Sequence, residues 1–455
     1  MLLDPARRIV IIGSGFSGTL LAINMARFGG PRTILVERRA EQVARGVAYS
    51  TPHPSQLLNV RAGGMSAYPD DPGHFTRWLE ERASGSGQTF VPRALYGAYL
   101  REMLIEAQMR AGGRLTLQDG EACDVTREGE RSIVHLANGE TIAADVVVLA
   151  IGNLPPHTPP GVDEAALSAD LYCGDPWYDD PVGGLTDKDR VVLLGTGLTA
   201  VDIALRLDAA GFGGEILALS RRGLAPRRHQ DGLPPSQGLD NPPLIPLSHV
   251  VAETRQKAEQ VGWRNAVDAF RPVTQRMWGA ASARQRMAFL RHLRPFWDVH
   301  RHRLAPAVAD RIDALVERGQ LRFVAGKLQS TKPHESGVTL TWRPRHRNDL
   351  VTTEARRIVN CTGPQGDLLR SDEPLLKTLV ARGVIRPDAL RLGLDVDAQS
   401  RAIAGDGAAH DDLYCVGPMT RGGLWEVVAV PDLRRQSWDL ARRLANAQWV
   451  GGEGL

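Results

Sequence analysis

The chain has 455 residues, 43% of them hydrophobic and 24% charged, and a formal net charge of +3. That length implies two or three domains rather than one core. So small a positive charge argues against a dedicated nucleic-acid binder. No apolar run approaches the ~18 residues a spanning helix requires, so no membrane partner is expected.

Near the N-terminus the short apolar run Ile9-Val10-Ile11-Ile12 stops at Gly13. A secretion signal needs a longer apolar region and a small-residue cleavage site, so the run reads as a buried parallel strand of a cytoplasmic protein. Gly13-Ser14-Gly15-Phe16-Ser17-Gly18 follows, then a helical stretch from Thr19 to Phe28 closed by Gly29-Gly30-Pro31. The next strand, Thr33 to Val36, ends at Glu37 and Arg38. A further strand, Asp145 to Ala150, runs into Gly152. The same pattern then returns. Arg190 to Leu194 leads into Gly195-Thr196-Gly197-Leu198-Thr199-Ala200, a helix to about Ala209, and a strand Glu215 to Leu219 that ends at Ser220-Arg221-Arg222. Arg357 to Cys361 is its returning strand, with Gly363 beyond it. Residues 225–319 are helical in pattern and rich in Arg, Trp and His, and read as an insertion. The tail has strand candidates at Leu390–Leu392 and Leu413–Val416 and a final amphipathic helix over about 432–448. Its arginines 434, 435, 442 and 443 read as a solvated face.

Each glycine motif sits between a strand and a helix, which gives it a mechanism. The first glycine makes the turn, the second lets a pyrophosphate reach the backbone, and the third lets helix and strand pack closely. Glu37 lies 24 residues after Gly13, where a carboxylate accepts hydrogen bonds from adenosine ribose hydroxyls. That suits FAD, which has no 2′-phosphate. The second copy has Ala200 in third place and arginines at its strand end. A guanidinium there welcomes the 2′-phosphate of NADPH. The expected fold is therefore α/β with two Rossmann-like dinucleotide-binding domains. Residues 1–185 with 366–455 form the FAD domain, and 186–365 the NAD(P)H domain with its helical insertion.

The four cysteines, Cys123, Cys173, Cys361 and Cys415, form no C-x-x-C pair. This counts against a disulfide-reducing enzyme and against a cysteine-rich zinc site. No metal site is expected; His300 and His302 stand two apart and would point away from each other on a helix.

The chain resembles the FAD-NAD(P)-binding proteins, a bacterial family of uncharacterised oxidoreductases. The resemblance covers most of the chain. It rests on Gly46-Val47-Ala48-Tyr49, Leu58-Asn59-Val60-Arg61-Ala62, Met65-Ser66-Ala67, Asp70-Asp71-Pro72 with His74-Phe75, and Pro92-Arg93 with Tyr96-Gly97. It continues through Arg221-Arg222-Gly223 with Pro226 and His229, Phe296-Trp297 to His300-Arg301-His302-Arg303, and Leu424-Trp425-Glu426 to Ala429-Val430-Pro431. The architecture also resembles flavin-dependent N-hydroxylating monooxygenases. In those, NADPH reduces FAD, dioxygen adds to the reduced flavin, and a (hydro)peroxyflavin oxygenates a nucleophile. The F-x-G-x-x-x-H fingerprint of Baeyer–Villiger and dimethylaniline-type enzymes is missing here.

The resemblance implies an NADPH-dependent FAD monooxygenase acting, with dioxygen, on a small polar amine or amino-acid-like substrate. A reductase passing electrons to another acceptor and a flavin-bound redox sensor remain open. The FAD site is expected at Gly13, Ser14, Gly15, Phe16, Ser17, Gly18, Glu37, Arg38 and Gly152, with Gly417, Pro418, Trp425 and Glu426 added by position. The nicotinamide site is expected at Gly195, Thr196, Gly197, Leu198, Thr199, Ser220, Arg221, Arg222 and Gly363. Asn59, Arg61, His300 and Arg303 are the candidates nearest the chemistry. Eight arginines against one acid between Arg271 and Arg303 suit an anionic small molecule, the cofactor phosphates, or a solvated helix face.

Overall fold

The computed structural model describes residues 7–51, 53–232, 236–243 and 245–446. The chain divides into two compact units. One comprises Met1–Pro52, Val60–Leu154 and Gly366–Leu455, the other His53–Asn59 and Pro155–Gln365.

The first unit is built on a six-stranded sheet. Its order is Arg401–Ile403, Ala409–Cys415, Val146–Leu149, Arg8–Ile12, Arg32–Glu37, Leu115–Asp119. All strands run parallel except Arg401–Ile403. The Ile and Val runs of the central strands are fully buried, as a sheet covered on both faces requires. A three-stranded antiparallel sheet, Ala122–Glu128, Arg131–Leu136 and Thr141–Ala144, contributes Val125, Val134 and Leu136 to the same core as Val10, Val147 and Leu379. The tail does return to this unit: Leu413 to Cys415 pair with Val147 to Leu149. The last helix, Val430–Leu444, packs on the helix Phe16–Arg27. It starts earlier than the sequence suggests because Pro431 occupies its first turn; residues 447 and 448 of the expected helix lie outside the described residues. Arg434 is not solvated: its Nη1 donates to Ser66 O at 2.9 Å, and burial lowers its pKa.

Leu390–Leu392 is not a strand. Asp388 turns the chain there, its carboxylate accepting the backbone N–H groups of Leu390, Leu392 and Gly393 at 2.9, 2.5 and 2.8 Å. Local side-chain bonding thus overrides the apolar alternation.

The second unit has a seven-stranded sheet in the order Val351–Ala355, Gly337–Pro344, Leu321–His334, Glu215–Ser220, Arg190–Leu194, Arg357–Asn360, Tyr172–Cys173. The expected boundary at 185 is too late. Tyr172 and Cys173 pair with Ile358 and Val359, so the chain joins this unit after Leu154. The insertion carries the helices Leu247–Asp268, Thr274–Ala280, Ala283–Ala288, Arg294–Arg301 and Pro306–Glu317. A single π-helical turn, Phe289–Leu293, precedes the fourth. Helix begins at Leu247, later than the expected 225.

Candidate functional site

In the first unit the turn after Arg8–Ile12 is made by Gly13 at φ +101°. A Cβ there would lie 2.5 Å from Ala150 O, the end of the adjacent strand. A Cβ on Gly18 would overlap Gly13 O, so helix and strand meet with no room for a side chain. Gly15 faces another backbone: its Cβ position lies 3.6 Å from Gly46 Cα. No side chain caps the helix that follows, although Phe16, Ser17 and Gly18 in its first turn are buried. Buried N–H groups at a helix start require a partner, and the helix dipole favours an anion. The rings of Phe16, Tyr49 and Tyr96 pack beside this turn, with centroids 4.8–6.3 Å apart. Such a dry wall strengthens any charge held against the helix end.

Glu37 closes the turn from the next strand. Its Oε2 accepts Ser14 N at 2.8 Å and Ser14 Oγ at 2.9 Å, and its Oε1 accepts Arg39 N at 3.1 Å. Ser14 O in turn accepts Ala44 N at 2.9 Å, which brings the Gly46 segment onto the glycine turn. Arg38 departs from expectation. Its guanidinium is held by Glu121 and Glu373, each at 2.8 Å. These partners raise its pKa and occupy its donors, so it is a clamp between distant segments. Gly152 (φ +69°) and Gly417 (φ +96°) are both left-handed. Gly417 N donates to Gln436 Oε1 at 2.9 Å, and a Cβ on Gly417 would lie 2.8 Å from Ser17 Oγ. Pro418, Trp425 and Glu426 are buried in the same unit.

The second unit repeats the turn. Gly195 adopts φ +128°, and a Cβ there would overlap Cys361 O. Gly197 begins the helix Leu198–Ala209 without a side-chain cap, and its Cβ position meets open space. Thr196 Oγ1 lies 2.9 Å from Ser220 Oγ and donates to Leu224 O at 2.6 Å. Gly223 N donates to Ser220 Oγ at 3.0 Å. The loop from 220 to 224 is thereby pinned to the glycine turn, leaving Arg221 exposed and Arg222 half-buried at its tip. Leu198 and Thr199 stand on the first turn of the helix, and Gly363 is left-handed with open space around it. Both glycine turns fit a dinucleotide: each offers an uncapped helix start and a glycine face that a Cβ would fill.

The four candidates for chemistry each have partners of their own. Asn59 belongs to the second unit, where its carbonyl accepts His229 Nε2 at 3.0 Å. Arg61 belongs to the first. Its Nη1 donates to Gln88 O at 2.8 Å and its guanidinium lies over the Phe90 ring at 4.7 Å. Arg303 is 5% exposed, and its fork closes on Asp268 at 2.8 and 2.9 Å. It therefore staples the insertion. His300 packs against Trp263 and its Nδ1 lies 2.7 Å from Phe296 O. Other insertion arginines also bond to backbone: Arg286 donates to Trp278 O and Gly279 O, and Arg276 to Asp240 O. Three residues beside the first turn were not among the expected ones: Gly46, Gln436, and Thr420, whose Oγ1 donates to Gly417 O at 2.8 Å and accepts Gln436 Nε2 at 3.0 Å. Only Gly46 carried a signal, within Gly46-Val47-Ala48-Tyr49.

The four cysteines are free thiols. Burial pushes Cys173 and Cys415 up to about 12 and Cys361 well above its usual value. Among the described residues no cluster of three or more His, Cys, Asp or Glu suits a metal, and no helix is long and apolar enough to cross a membrane.

Comparison with known proteins agrees with this geometry. L-lysine 6-monooxygenase from Pseudomonas syringae superposes with a TM-score of 0.67 at 16% identity, covering 96% of this chain and 99% of that one. The ornithine N-hydroxylase of Kutzneria sp. 744, solved with reduced FAD, NADP+ and L-ornithine, gives 0.63 at 15% identity, covering 97% and 99%. By sequence, L-aspartate N-monooxygenase (nitrosuccinate-forming) from Streptomyces cremeus is 30% identical over 176 residues. That match spans 36% of this chain and a quarter of the relative's length, 25%. The FAD-NAD(P)-binding family model matches residues 10–154, which hold the first glycine turn, Glu37, Gly46 and Gly152. Over those residues the chain is similar to FAD-NAD(P)-binding domains.

Proposed function

We propose that the protein is an NADPH-dependent FAD monooxygenase that N-hydroxylates a small amine or amino-acid-like substrate with dioxygen. The observation that carries the reading is the pair of uncapped glycine turns, one closed by an acid and the other by arginines. The likeness to amino-acid N-monooxygenases supports the choice of substrate and oxidant. When bound, FAD would supply hydride acceptance from the nicotinamide and activation of dioxygen. The protein's part is placement. Ser14 orients the Glu37 carboxylate toward an adenosine ribose, and the helix starts at Phe16 and Leu198 hold pyrophosphates. Arg221 and Arg222 select the 2′-phosphate. The Phe16–Tyr49–Tyr96 wall keeps water from the first helix end.

The test is a rapid-mixing experiment. The yellow protein is reduced with NADPH without oxygen, then mixed with oxygenated buffer and candidate amines. The reading expects a transient absorption band before the oxidised spectrum returns, and a hydroxylated amine among the products. Return to oxidised flavin with stoichiometric peroxide and no product, whichever amine is bound, would overturn it in favour of a reductase.

A further inference from the structure

Phe296 is one of the few large apolar side chains left exposed, at 42%. An exposed phenyl ring on a helix with an arginine at each end needs a reason. Its neighbour supplies one: the Arg222 guanidinium lies over the ring, 4.9 Å from the centroid. A second contact comes from the same insertion, where Arg222 Nη2 donates to His292 O at 3.4 Å. His292 stands in the π-helical turn Phe289–Leu293, a kind of local irregularity that recurs at functional sites. The backbone beneath Arg222 is also fixed. Gly223 has φ +63°, with a Cβ position 2.8 Å from Ala325 N, and its N–H is tied to Ser220 Oγ. A flexible arginine is thus held by a ring on one face and a carbonyl at one nitrogen. Of its five N–H groups, the His292 bond uses one.

We infer that Phe296 is a positioning residue for nicotinamide-cofactor selectivity: it holds the Arg222 guanidinium flat so that its free edge meets a ribose 2′-phosphate. The helical insertion is then part of the phosphate site, although the glycine turn that defines that site lies about 100 residues earlier in the chain. This rests on the reading that the second turn takes NADPH. A cation over an exposed aromatic ring contributes an amount equivalent to about a two- to fivefold change in affinity, and the stack also spares the ligand the cost of ordering a long side chain.

The experiment measures adenosine 2′,5′-bisphosphate and 5′-AMP binding to the intact protein by calorimetry. Phe296→Ala and Phe296→Leu should each weaken the bisphosphate about two- to fivefold and leave 5′-AMP within error, while Phe296→Trp should restore or improve it. Arg222→Ala should weaken the bisphosphate further, and adding Phe296→Ala to it should cost nothing more. If Arg222→Ala weakens the bisphosphate but Phe296→Ala does not, the positioning role is wrong and the NADPH reading stands. Equal loss of both ligands in the Phe296 variants would reduce the ring to general packing and also overturn the role. If Arg221→Ala and Arg222→Ala together leave the bisphosphate unchanged, the NADPH reading fails and takes this inference with it.

Discussion

The two glycine turns share a plan and differ in two places. In the first, the residue five beyond Gly13 must be glycine, because a Cβ on Gly18 would overlap Gly13 O. In the second, the residue five beyond Gly195 is Ala200, which is buried with its Cβ in place. The second turn therefore stands further from its helix. The other difference lies at the strand end. Glu37 pins the first turn with a carboxylate that accepts Ser14 N and Oγ. Ser220 pins the second through a hydroxyl. The same mechanical task is done by a charged group in one case and a neutral one in the other.

The comparison can be broken at four points. Gly18→Ala should cost about 3 kcal/mol through forced overpacking, and the purified protein should be colourless and melt early. A yellow variant of normal stability would mean that the first turn has slack like the second. Glu37→Ala should weaken FAD by about 2 kcal/mol, some thirtyfold, through loss of a charged acceptor. Fluorescence titration of the apoprotein reads this directly, and an unchanged affinity would show that the carboxylate is a latch alone. The Arg221→Ala and Arg222→Ala double variant should lose about tenfold of the NADPH-over-NADH preference in flavin reduction rates, with NADH itself unaffected. Ala200→Gly should be the mildest, destabilising by about 0.5–1 kcal/mol through helix propensity, seen as a lower urea midpoint. A larger loss would mean that the Ala200 methyl fills a necessary gap.

What could be read from the sequence was what is local. Both strand–turn–helix–strand units follow from glycines and a strand-end residue within 25 or so positions, and both occur where expected. What could not be read depends on partners far along the chain. Arg38 looks like a cofactor residue beside Glu37 until Glu373 closes on it from 335 residues away. Arg303 shares a helical spacing with Phe296 and His300, yet the helix ends at Arg301 and Asp268 takes its fork. Residues 155–185 carry no strong periodicity, and it is contacts with distant segments, such as the pairing of Tyr172 and Cys173 with Ile358 and Val359 and the bond from Asp163 N to Thr331 Oγ1, that assign them to the second unit. Asn59 and Arg61 are adjacent in a shared motif but fall in different units, which no pattern of two residues could reveal.

The completion of the first sheet by the tail has a consequence for synthesis. The strand Val146–Leu149 is made early, but its partner Ala409–Cys415 follows about 260 residues later. At ~5–20 residues per second that apolar edge waits roughly 13–50 s on the ribosome, long enough to pair with the wrong strand. All seven strands of the second sheet emerge during the same interval. The nicotinamide-type unit can therefore be whole while the FAD-binding sheet is still an open template. This orders the birth of the protein opposite to its numbering, and makes the half-finished first sheet the stage at which a chaperone has most to protect.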